Sequence, residues 1–119
     1  KKMNTTLMTT KQREPQPTCF DRVKGNLKDR EEQLRDGELD GLCFDYVEPH
    51  SFPDQVEGYW RWQLSWGGPS DELRAFVNEK KEMHRLEYWF MDWYDGAHVV
   101  LDAKNNARMW NELVIMLEA

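Results

Sequence analysis

Cysteine is scarce in this chain of 119 residues: there are two, Cys19 and Cys43, and neither stands in a CxxC pair or beside a histidine. That excludes a disulfide-stapled miniprotein and a Cys/His zinc module; the pattern suits a reduced cytosolic protein and does not point to a Cys19–Cys43 bridge. No apolar run approaches the roughly 20 residues that a membrane helix needs. The opening stretch "KKMNTTLMTTKQREPQP" lacks the apolar centre of a secretory signal. Basic charge is short beyond residue 35. Residues 1–35 carry nine Lys/Arg against five Asp/Glu, and residues 36–119 carry seven against seventeen, for a net charge of −6. An acidic body argues against direct binding to nucleic acid or to an anionic membrane. The asymmetry suits a partner with a basic surface, or plain solubility.

Catalytic signatures are missing too. "GGP" at residues 67–69 has neither the lysine nor the following helix of a phosphate-binding loop, and reads as a turn. "LSWGG" is not the Gly-x-Ser-x-Gly nucleophile elbow. Ser65 and Cys43 are the conceivable nucleophiles, and nothing in the sequence sets His50, His84 or His98 beside either.

What the chain does have is aromatic side chains, 13% of residues with six tryptophans. Residues 1–17 are polar with two prolines and read as a flexible arm, leaving 18–119 as one domain. Thr18 or Asp21 can cap a helix over residues 19–36, with Phe20, Val23, Leu27 and Leu34 on one stripe. Four strands follow, near 42–47, 59–66, 72–78 and 84–94, with a turn at Asp95-Gly96. In the second, Trp60, Trp62, Leu64 and Trp66 alternate with Tyr59, Arg61, Gln63 and Ser65, the period of a half-buried strand. Asp102 would cap a last helix whose stripe includes Ala107, Trp110, Leu113 and Leu117. The fold expected is α+β: an N-terminal helix, a four-stranded antiparallel meander, and a C-terminal helix packed on the sheet.

"QLSWGGPSDE" (residues 63–72), followed by an aromatic strand ending "DWYDGA" (92–97), resembles a family of small proteins carried on bacterial and archaeal plasmids and phages. In that family one strand ends Ser-x-Gly-Gly-Pro, another ends Asp-Trp, and a helix closes the chain. "TTKQREPQPTCFDRVK" (9–24) is similar to the same setting. The family carries no agreed activity, so the resemblance implies no catalytic residue. It implies a mobile-element gene, a setting in which small acidic proteins often inhibit CRISPR or restriction complexes.

Asp71, Glu72, Asp92 and Asp95 could converge at one sheet edge and bind a cation or share acid and base roles; the ordinary alternative is turn-bonded and solvated carboxylates. The six tryptophans do not fit one face, so Trp60, Trp62 and Trp110 are expected in the core, and Trp66, Trp89 and Trp93 partly at an interface. The leading expectation is a non-enzymatic phage or plasmid protein in the bacterial host cytoplasm. It needs no cofactor and binds a host protein or nucleoprotein complex through Trp66, Asp71, Glu72, Trp89, Asp92, Trp93 and Asp95. A homodimeric immunity or regulatory factor and a carboxylate-based metal-dependent hydrolase are the alternatives.

Overall fold

The computed structural model describes residues 18–67, 69–92 and 95–118. The expected arm at 1–17 and the candidate Trp93 lie outside them. The elements, in chain order, are α1 (Cys19–Arg35), β1 (Cys43–Val47), β2 (Tyr59–Ser65), β3 (Ser70–Val77), β4 (Met83–Asp92), β5 (Asp95–Leu101) and α2 (Ala107–Glu118). The protein is α+β, and its sheet has five antiparallel strands in the order of the sequence.

The four-strand expectation is therefore corrected. Asp92 pairs with Asp95, and the ladder runs on to Leu86 opposite Leu101. Asp95-Gly96 opens β5 instead of forming the turn. "DGAHVVL" has the alternation of a strand, with Ala97 and Leu101 buried and Asp95, Gly96, His98 and Val100 exposed, but an Asp-Gly pair is so strong a turn signal that it masks it.

α1 begins with a capping box. Asp21 N–H donates to Thr18 Oγ1 at 3.2 Å, and Thr18 N–H donates to Asp21 Oδ2 at 2.9 Å. Gly37, at φ +72°, follows the helix in the left-handed conformation that glycine adopts without strain. The buried stripe is Cys19, Val23 and Leu27, spaced by four. Phe20, expected inside, is 74% exposed, because one residue on from Cys19 is about 100° round the helix.

α1 lies across β4 and β5, and α2 packs against α1. Met109 and Leu113 of α2 join Val23, Leu73, Leu86 and Tyr88 in one apolar cluster. The 36–42 connection also helps to cover this side of the sheet: a side chain at Gly41 would run into the Trp62 indole. Trp62 is buried, while Trp60 and Trp110 pack at the margin of the cluster. Asp102 caps a turn and not the helix: it accepts from the N–H groups of Lys104 and Asn105, at 2.9 and 2.6 Å, and α2 starts at Ala107. Among the described residues, no helix is long and apolar enough to cross a membrane.

Candidate functional site

The four carboxylates predicted to converge are split between the two faces of the sheet. Asp71, 4% exposed, faces α1. Arg30 reaches it from the helix with Nε and Nη2 at 2.7 and 3.0 Å, a bidentate pair. The Tyr88 and Ser65 hydroxyls donate to the same carboxylate, and Asp71 N–H donates to Ser65 Oγ at 3.1 Å. A bulge between Gln63 and Ser65 allows this, by turning Ser65 out of its expected alternation. Burial, then the bond to Asp71, pushes the Tyr88 phenol well above its ordinary pKa, so it stays a donor.

Asp92 and Asp95 serve the same helix. Asp92 Oδ2 takes Arg22 Nη1 at 2.7 Å, and that guanidinium lies 4.6 Å from the Phe90 ring centroid. Asp95 Oδ2 accepts from the Cys19 N–H at 2.8 Å, occupying a free donor of the first helical turn. Burial, then the Asp95 charge, pushes the Cys19 thiol pKa up, so the thiol is no poised nucleophile. Three of the four acids thus fasten α1 to β3, β4 and β5. Among the described residues, no three His, Cys, Asp or Glu side chains come together in a metal-holding group.

Glu72 and Trp89, cross-strand neighbours, face away from the helices. There the strands and the 48–58 loop enclose a groove of about 790 Å³. Its charges are matched among themselves. Arg74 Nε meets Glu72 at 2.7 Å, Arg61 grips Asp45 with two nitrogens, and Arg85 lies 3.3 Å from Glu57 and 3.0 Å from Glu87. The Arg74 guanidinium sits 3.9 Å from the Trp89 ring centroid and 4.8 Å from that of Tyr59. His98 stacks on Trp89 at 4.3 Å. Arg74 and His98 come from the strands on either side of β4, so both indole faces are taken and Trp89 offers no bare ring to a ligand. The loop wall is held by Gln55, whose side-chain amide donates to the carbonyls of Glu48 and Glu57 and accepts from Phe52 N–H.

The end of β2 and start of β3, the end of β4 and start of β5, and the start of α1 share one end of the sheet, as the register and the Cys19–Asp95 bond require. That end displays Phe20, 74% exposed, and Trp66, 62% exposed, the two most exposed aromatic side chains among the described residues. Trp66 leaves β2 after the bulge instead of continuing the Trp60/Trp62 row.

Sequence reasoning located Trp66 and the two-sided character of β4. It missed Phe20, which periodicity assigned to the core, and it missed Tyr59, Arg74 and the 48–58 loop. The available signal was Arg61, Arg74 and Arg85 recurring at alternate positions of three consecutive strands. Comparison with protein-family models, curated proteins and solved structures finds no match to this chain.

Proposed function

We propose that this chain is a non-enzymatic interaction protein of a mobile genetic element, acting in the bacterial cytoplasm by binding and inhibiting a host defence complex of the CRISPR or restriction type. The observation that carries the reading is the exposure of Phe20 and Trp66 on one end of the sheet. Large exposed aromatic side chains are the usual anchors of a protein interface. The likeness to plasmid- and phage-borne proteins supplies the setting. Asp71 and Asp92 are already matched by Arg30 and Arg22, so the contact rests on aromatic burial and depends weakly on salt; a nucleic-acid mimic would depend on it steeply.

The test is protection of phage or plasmid DNA in cells with an active defence system. Phe20→Ala combined with Trp66→Ala should cut protection at least tenfold while melting like the wild type, since both side chains project into water. Protection equal to wild type from that folded variant would refute the reading.

A homodimer is the second reading, favoured by β5. This edge strand has seven residues, no lysine or proline, no bulge against β4, and an exposed Val100. Unblunted edges of that kind pair readily with another strand. Sedimentation at high concentration, with Val100→Lys as the variant, separates a dimer from a monomer.

A further inference from the structure

Every charged side chain on the groove floor lies within ion-pair distance of a partner, but two buried polar atoms have no hydrogen-bond partner among the described residues. Tyr59 lines the groove at the start of β2, is 1% exposed, and its hydroxyl meets no hydrogen-bonding group among the described residues. A buried hydroxyl left unpaired is costly, and natural folds seldom keep one without use. Burial raises the Tyr59 pKa, so the group is a neutral phenol able to donate. The adjoining Arg85 Nε is a second buried donor without a well-aligned acceptor, although Glu87 is near. Around these donors the walls are apolar: Phe52, Pro53, Val56, Phe76 and Met91.

We propose that the groove is a binding site for a small, uncharged, largely apolar molecule carrying one hydrogen-bond-accepting oxygen, which takes the Tyr59 hydroxyl. The volume falls in the range of ligand pockets, about 300–1,000 Å³. Charge sets the class. The lining holds Arg61, Arg74 and Arg85 against Asp54, Glu57, Glu72 and Glu87, so neither a strong anion nor a strong cation gains from entering. The filled faces of Trp89 exclude a ligand held by stacking on that indole, leaving apolar contact with the walls and the bond to Tyr59. The site is separate from the aromatic end, and its failure leaves the proposed function standing.

The test uses three probes that share a phenyl tail and differ in the head: benzylacetone, phenylbutyrate and phenylbutylamine. Binding is read from backbone amide shifts. Benzylacetone should shift Val56, Tyr59, Phe76 and Trp89 saturably and bind at least fivefold more tightly than either charged analogue. Tyr59→Phe should weaken benzylacetone about fivefold, the worth of one hydrogen bond. It should also melt roughly 4 °C higher, because it removes an unpaired buried hydroxyl. Val56→Asp changes an exposed lip residue, 77% accessible; it should block benzylacetone without lowering the melting temperature. The proposal is overturned by the absence of saturable shifts at these residues, by a charged analogue binding best, or by Tyr59→Phe binding benzylacetone unchanged. A lower melting temperature for Tyr59→Phe also overturns it, since the hydroxyl would then be satisfied within the fold.

Discussion

The two faces of this sheet are built from the same strands and solve burial in different ways. The covered face is apolar, with Leu73, Ala75, Leu86 and Tyr88 fully buried, and one buried carboxylate, Asp71, answered by Arg30, Tyr88 and Ser65. Among the described residues, no helix lies above the open face. That face shields its aromatic rings with guanidinium groups: Arg74 over Trp89 and Tyr59, and Arg85 over Phe76 at 3.9 Å. An arginine spreads its plane and stem over apolar surface while keeping its charge near water, so an uncovered face can be aromatic without being sticky. The covered face therefore holds most of the stability, and the open face is free to carry specificity.

The largest expected effect comes from the covered face. Leu73→Ala should cost about 3 kcal/mol in denaturant unfolding, since it empties a fully enclosed position. Asp71→Ala should cost a comparable amount, about 3 kcal/mol, because it strands the Arg30 guanidinium and the buried Tyr88 hydroxyl together. Adding Arg30→Met to it should recover part of that loss; if the double variant is no more stable than Asp71→Ala alone, the stranded charge is not the cause. A smaller loss is expected on the open face. Trp89→Ala should cost about 1–2 kcal/mol, since the ring is only partly buried and its flanking groups can return to solvent. A Trp89→Ala loss equal to that of Leu73→Ala would erase the contrast between the faces.

The contrast between the faces is only partly written in the local sequence. Period two is a local property, so the Trp60/Trp62/Leu64 row and the two-sided β4 were legible. Where a strand ends is not local: Trp66 looks like the next member of its row, and only the Gln63–Ser65 bulge removes it. The α+β class and both helices were readable from apolar spacing, but β5 was hidden by Asp95-Gly96. The candidate site was the least legible. Asp71, Asp92 and Asp95 cluster near turns in the sequence, and nothing local says that their partners are Arg30, Arg22 and the Cys19 N–H, 41 to 76 residues away. Long-range pairing decides whether a carboxylate belongs to the surface or to the fold.

The smallest effect sharpens the comparison from outside both faces, at the segments leading into the two helices. Backbone N–H donation, from Thr18 to Asp21 and from Asn105 to Asp102, holds both carboxylates below the usual carboxylate pKa. A carboxylate whose pKa is lower in the folded chain binds its proton more weakly there than in the unfolded chain. Its stabilisation is therefore complete above the unfolded value, near 3.8, and is lost as pH falls through the lower folded value. Asp21→Asn and Asp102→Asn should each flatten the decline in melting temperature below about pH 4 while leaving its position near neutrality little changed, because the asparagine side-chain oxygen can accept from the same backbone N–H groups. The two substitutions should add, since one stands in the first turn of α1 and the other in the turn before α2, with no shared partner. If the acid decline keeps its full slope in the double variant, the backbone bonds that Asp21 and Asp102 accept are not what sets how this fold responds to acid.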